Sequence, residues 1–131
     1  MSGGTALMVV TTDLVRGKIA KAIGETGVIA RVKELAFGIG GVDENNQPIA
    51  PSTSNNSLVN EVFRIPVGSV TYPMGTTVEF EVTLDRPDQN GYELSEFGIV
   101  DEDGDFVGIQ TFSIITKSDL AKLTFFWRIE F

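Results

Sequence analysis

Three aspartates at alternating positions, Asp101, Asp103 and Asp105, are the residues of this chain best suited to binding a metal ion. Carboxylate oxygens at this spacing can coordinate Ca²⁺. A complete EF-hand loop also needs glycine at its sixth position and glutamate at its twelfth, and this chain has phenylalanine at both. The Asp103-Gly104 pair is typical of a β-hairpin turn. We therefore interpret the aspartates as a hairpin tip and predict neither a bound metal nor a cofactor.

The side chains needed for common catalytic sites are missing or poorly placed. The sequence has no histidine and no cysteine, which excludes Ser–His–Asp triads, thiol nucleophiles and zinc sites built on those residues. Glu79 and Glu81 resemble a glycosidase pair, but any alternating strand gives that spacing. Gly38–Gly41 is not followed by the Lys-Ser/Thr of a phosphate-binding loop. The aromatic residues Phe125–Trp127 could form a sugar-binding platform, but we interpret them as part of the core. We predict that the protein is not an enzyme.

The charge of the chain argues against two classes of partner. Ten basic and eighteen acidic residues give a net charge of -8, and ten of the acids lie between Glu79 and Asp105. Such a chain lacks the cluster of basic residues that binding to nucleic acid or anionic lipid requires. In addition, no apolar run approaches the ~20 residues of a membrane span. We predict no nucleic-acid partner and no membrane insertion. Because an acidic stretch can mark an interaction face, Asp101, Asp103 and Asp105 are candidate interface residues.

The length of 131 residues fits a single domain, 1–131. Thr11 or Thr12 can cap a helix that runs to about Glu25, since apolar residues recur there at helical spacing. A strand is predicted over 29–38. The polar segment 42–56 cannot bury a face of its own and is predicted to be a long exposed loop. Its acidic and amide residues are candidate interface residues: Asp43, Glu44, Asn45 and Asn46.

After Ser57 the apolar pattern has a period of two, which is typical of β-strands. The predicted strands are 62–70, with Pro66 at an edge or bulge, 78–84, 92–100, 106–114 and 120–131. We therefore predict an α+β fold in which an N-terminal helix packs on a mostly antiparallel β-sheet or sandwich.

Four segments carry a more specific signal, in this order: Val10–Ala22, Glu34–Gly41, Ser57–Arg64 and Glu96–Asp105. The first reads as a capped helix and the second as a strand ending in Ala-x-Gly before further glycines. The third contains Leu-x-Asn-Glu-x-aromatic-Arg, and the fourth contains Glu-x-Gly, two apolar residues and an Asp-Gly hairpin. In this order and spacing they resemble the N-terminal domain of phage tail-collar fibre proteins, over about residues 8 to 114.

This resemblance implies a structural protein in the tail of a phage, a prophage or a related contractile particle. The domain would anchor a receptor-binding fibre to the baseplate. Its partners would be other tail or baseplate proteins, and the family implies a homo-oligomer, with a trimer favoured. Since the chain ends at Phe131 without a fibre shaft, we expect a free-standing adaptor or an anchor domain. The N-terminus lacks the features of a secretory signal, so we expect synthesis in the host cytoplasm.

Two further expectations concern residues within these segments. Glu61 and Arg64 are three residues apart and can pair, while the Asn60 amide can hold a turn. We expect these three to stabilise the corner where the loop enters the next strand, rather than to form a contact surface. The alternative function is a ligand-binding β-module, such as a calcium- or carbohydrate-binding adhesin.

Overall fold

The computed structural model describes residues 8–120 and 122–131, which form two antiparallel β-sheets. The strands are β1 Val9–Thr11, β2 Val32–Gly38, β3 Glu61–Pro66, β4 Ser69–Met74, β5 Thr77–Leu84, β6 Glu93–Asp101, β7 Phe106–Thr116 and β8 Leu123–Glu130. One sheet has the order β1-β7-β6-β2-β3 and the other the order β4-β5-β8. Helix α1 spans Asp13–Lys21 and continues into a π-helical turn, Ala22–Thr26, and a 3-10 turn covers Pro87–Gln89.

The predicted α+β class is wrong, because strands make up 49% of the protein and helix only 14%. Of the two predicted caps, Thr12 is the one that caps α1, and its side chain accepts a hydrogen bond from the Val15 N–H. However, Val15 is the only buried residue of α1, and Ile23, placed on the apolar stripe by its spacing, is 83% exposed. The core therefore forms between the two sheets, with the helix at its margin.

The principal core lies between the two sheets and is rich in aromatic side chains. The alternation predicted for 78–84 and 120–131 is confirmed, since Phe80, Val82 and Leu84 are buried and Trp127 is 6% exposed. The interpretation of Phe125–Trp127 as core is wrong for Phe126, which lies on the outer face of its strand and is 54% exposed. Phe97 of the larger sheet stacks on Phe37 and meets the Trp127 ring edge-on, with ring centroids 5.7 and 5.0 Å away. Burying each such side chain contributes roughly 1.5–3 kcal/mol, so this layer holds the sheets together.

A second apolar cluster covers the opposite face of the larger sheet. It comprises Ala36, Leu58, Val100, Phe106 and Ile109. The Phe106 ring lies directly over Gly98, where an added Cβ would come within 2.7 Å of it. Leu58 belongs to the segment before β3, so the long 39–60 connection closes over this face of the sheet.

The segment 62–70, predicted as one strand, forms β3 and β4 in different sheets. Pro66 has no N–H for a ladder, and Gly68 then donates its N–H to the Glu81 carbonyl oxygen at 2.8 Å, which brings the chain onto β5. The predicted hairpin of 92–100 and 106–114 is confirmed by β6 and β7. Among the described residues, none of the helices combines the length and apolarity needed to cross a membrane.

Candidate functional site: polar clusters and an apolar groove

A buried carboxylate connects three of the four sequence segments. Glu96 on β6 is 1% exposed. Its Oε2 accepts hydrogen bonds from the backbone N–H groups of Gly40 and Asn60, and its Oε1 accepts one from Val59, each at 2.8 Å. The turn after β2 and the segment before β3 are thus both fixed to β6 through one side chain. Charge-assisted bonds of this kind are about twice as strong as neutral ones.

The glycines beside Glu96 allow the chain to approach it closely. A Cβ on Gly38 would lie 2.5 Å from Glu96 Oε2, and one on Gly41 would lie 2.1 Å from the Ser95 carbonyl oxygen. The Gly41 N–H also donates to Ser95 Oγ at 2.8 Å. The glycine-rich segment therefore packs against its own chain and does not form an open cradle for phosphate.

The three aspartates of the hairpin tip surround the ammonium of Lys18. Nζ lies 2.7 Å from Asp101, 3.0 Å from Asp103 and 2.7 Å from Asp105. Their carboxylate oxygens lie within 4.8 Å of one another, a spacing that could hold a metal ion, but the ammonium occupies the place of the cation. Asp101 is 1% exposed, and its Oδ1 also accepts the N–H groups of Asp103 and Asp105. This cluster fixes α1 to the β6–β7 hairpin.

Burial lowers the pKa of Lys18, but hydrogen bonds to Asp101, Asp105 and Asp103 outweigh it and raise the pKa above its usual range. Lys18 therefore neutralises part of the acidic stretch. Further ion pairs of that stretch join Glu79 to Arg128, Asp88 to Arg86 and Glu102 to Arg31. Six of the ten acids in the stretch thus form ion pairs with four cations within the fold. Of the three aspartates, Asp103 has the most exposed side chain, at 61%.

Glu61 and Arg64 lie together at the start of β3. Arg64 Nε lies 2.6 Å from Glu61 Oε2 and Nη2 lies 3.1 Å from Oε1, so the pair is bidentate. The hydrogen bond to Glu61 raises the pKa of Arg64. The guanidinium also lies 5.4 Å from the centre of the Phe106 ring. Asn60 acts through its backbone, whose N–H binds Glu96 and whose carbonyl oxygen accepts the Ile39 N–H at 2.9 Å.

The loop tip, residues Asp43–Asn46, is exposed but held in a defined turn. Asp43 Oδ1 accepts the N–H groups of Asn45 and Gln47 at 2.8 and 3.0 Å, and Asn46 adopts a φ of 60°. Farther along the loop, the Thr53 carbonyl oxygen accepts the N–H of Asp13 at 2.7 Å. In the described chain, no hydrogen bond or ion pair connects the loop tip to the aspartate hairpin.

Sequence reasoning missed an apolar groove between α1 and the smaller sheet. The groove has a volume of about 860 Å³. Its lining includes Ile19, Ile29, Val70, Tyr72, Ile129 and Phe131. Tyr72 is 74% exposed and Phe131 is 83% exposed. The alternation of Val70, Tyr72 and Met74 along β4 was the available signal, and it was hidden because residues up to Val70 were assigned to the preceding strand.

Two sheets around an aromatic core, with most motif polar groups bonded internally, define a structural β-domain. The family model described as phage tail-collar fibre protein, N-terminal, matches residues 4–125, and the chain belongs to this family. The resemblance drawn from the four segments is thereby confirmed, and the chain is a phage tail fibre domain of the virion tail. A search of curated proteins and a search of solved structures gave no significant match.

Proposed function

We propose that this domain anchors a receptor-binding fibre to the baseplate of a phage, a prophage or a related contractile particle, and that it acts by binding alone. Membership of the tail-collar fibre family is the observation that carries this proposal. The internal bonds of Glu96 and the aspartate hairpin support it, because they give these carboxylates a structural role. Synthesis in the host cytoplasm, before assembly into the tail, belongs to the same proposal.

We assign the principal contact to the apolar groove and its occupant to a segment of a neighbouring tail protein. The groove has an apolar floor, and its lining carries two basic residues, Arg16 and Arg31, and one acidic residue, Glu130. An occupant with apolar side chains flanked by carboxylates would complement both features. The loop tip Asp43–Asn46 and the exposed Asp103 would make further polar contacts with neighbouring tail proteins, separate from the groove. Because those contacts involve charges, salt should weaken binding.

The test uses tail particles of the phage or prophage that encodes the chain, produced without this gene. Purified protein added to these particles should bind at the tail end, as detected by immunogold labelling, and should restore fibre attachment. Protein that stays in the supernatant under all salt conditions would contradict the proposal.

Two matched variants separate the groove from general surface effects. Tyr72→Ser removes an aromatic ring that is 74% exposed in the groove, and Phe126→Ser removes one that is 54% exposed but absent from the groove lining. We expect Tyr72→Ser to weaken retention on the particles by about fivefold or more, since a buried aromatic anchor at an interface is worth about 1 kcal/mol or more. Phe126→Ser should bind like the wild type. Equal loss in both variants would exclude the groove as the contact.

We further propose that the domain assembles as a trimer. Light scattering on the purified chain should then give three times the 14.2 kDa chain mass. A monomer at all accessible concentrations would contradict this part of the proposal without affecting attachment to the tail.

A further inference from the structure

A lysine, an asparagine and an aspartate form a hydrogen-bonded chain at the end of β7. Lys117 Nζ donates to Asn90 Oδ1, and Asn90 Nδ2 donates to Asp119 Oδ1. Asn90 belongs to the turn between β5 and β6, whereas Lys117 and Asp119 follow β7. The backbones are also joined, because the Gly91 N–H donates to the Lys117 carbonyl oxygen at 3.0 Å. Neither the core nor the clusters at Glu96 and Lys18 involve these side chains.

Lys117 is unusual because it is only 3% exposed. Lysine is almost never fully buried without an oppositely charged partner, since a desolvated ammonium is costly. In the described part of the chain, Lys117 forms no ion pair within 4.0 Å, and its side chain contacts the carbonyl oxygen of an amide. A reaction that removed the charge from this nitrogen would therefore relieve an unfavourable burial.

We propose that Lys117 and Asn90 form an intramolecular isopeptide bond, with Asp119 transferring the protons. One proton of the Lys117 ammonium passes to the Asp119 carboxylate along the hydrogen-bonded chain, through the Asn90 amide that lies between them, and the neutral Nζ attacks Asn90 Cγ. A Cγ–Nζ bond forms and the Cγ–Nδ2 bond breaks. The leaving nitrogen keeps its two hydrogens, takes one from Nζ and departs as ammonia, which collects the Asp119 proton to leave as ammonium. The reaction needs no oxidant, reductant or other co-reactant.

The geometry favours both the attack on Asn90 and the departure of its amide nitrogen. An amine hydrogen-bonded to the amide oxygen lies beside the amide carbon, and attack requires the reacting atoms to be about 3–3.5 Å apart. Asp119 contacts the leaving nitrogen directly, which is the position required of a general acid. The burial of Lys117 keeps the nucleophile from bulk water. The product would join residues 90 and 117 covalently and fix the turn before β6 to the end of β7.

The primary test is the intact mass of the purified, folded chain. Isopeptide formation should lower it by about 17 Da, the mass of one ammonia. Succinimide formation at Asn90-Gly91 loses the same mass, so the products must be digested with a protease that cleaves after glutamate. Cleavage after Glu81, Glu93, Glu102 and Glu130 places Asn90 in peptide 82–93 and Lys117 in peptide 103–130. Recovery of these two peptides as one branched species is the expected result.

Variants assign the roles of the residues. Lys117→Arg should retain the full mass, and Asp119→Asn should remain uncross-linked or react at least about tenfold more slowly, as expected for loss of a general acid–base group. Lys122→Arg is the control, because it changes an exposed lysine nearby and should still lose ammonia. The fluorescence of Trp127, whose side chain is buried in the folded protein, verifies that each variant is folded. Wild-type protein with unchanged mass after prolonged incubation, or with lowered mass but separate peptides, would overturn the proposal.

Discussion

Replacing Glu96 by glutamine should lower the free energy of unfolding by about 3 kcal/mol, because it weakens or removes the hydrogen bonds that the carboxylate accepts. The amide oxygen of glutamine can occupy the place of Oε2 and accept from Gly40 and Asn60. These two bonds become neutral and weaken by about 1 kcal/mol each. The NH₂ group then faces the Val59 N–H, so one buried donor loses its acceptor at a cost of about 1–3 kcal/mol. The easier burial of an amide than of a carboxylate offsets part of the total.

Urea unfolding followed by the fluorescence of Trp127 measures this change, since the chain has a single tryptophan and its side chain is buried. Glu93→Gln is the matched control, because Glu93 is an exposed glutamate on the same strand. The control should remain within about 0.5 kcal/mol of the wild type. If Glu96→Gln also stays within that range, the carboxylate does not hold the two connections to β6, and our interpretation of the motif is wrong.

Four other predictions concern single residues or the aspartate cluster. Gly17→Ala should stabilise the fold by up to ~1 kcal/mol in urea unfolding, because nothing lies within 4 Å of the added Cβ and alanine favours helix. Gly41→Ala should destabilise by about 3 kcal/mol or more in the same assay, since its Cβ would clash with backbone at 2.1 Å; a change below about 1 kcal/mol would contradict this. The pKa of Lys18 is raised in the folded state, so its stabilisation is present below its ordinary pKa of 10.5 and is lost as pH rises above that value. The unfolding free energies of wild type and Lys18→Gln should thus differ by a constant amount from about pH 7 to 10 and converge at higher pH. Millimolar Ca²⁺ should not shift the melting temperature of the wild type, because Lys18 occupies the carboxylate cluster.

Local patterns in the sequence were sufficient to predict most strands. The alternation of Leu123, Phe125 and Trp127 identified the inward face of β8, and the Asp-Gly pair identified the β6–β7 hairpin. These features are predictable because they depend only on residues that are close in sequence and on the two-residue period of a β-strand. The helix was also placed correctly at its N-terminus, but its contribution to the core was overestimated. Apolar spacing shows which face a helix could bury and does not show whether another element covers that face.

The polar clusters could not be predicted because their members are distant in sequence. Lys18 and Asp101 are 83 residues apart, and Asn90 and Lys117 are 27 residues apart. The same limit applies to the acidic stretch, because three of its cationic partners, Lys18, Arg31 and Arg128, are distant from it in sequence. The change of sheet after Pro66 also depends on tertiary packing, since both halves of that segment have strand-like composition.

The motif residues that identify the family are mostly engaged within the domain. Glu96 binds three backbone N–H groups, Gly41 packs against the Ser95 backbone, and Asp101 holds Lys18 and its own hairpin. Residues engaged in this way can preserve the fold while contributing little to the choice of partner. If the domain attaches a fibre, its specificity must therefore reside in exposed residues outside these bonds, above all Tyr72 and the other side chains of the groove. Exchanging groove residues between two members of the family should then transfer attachment to the other tail, whereas exchanging the Glu96 segment should not.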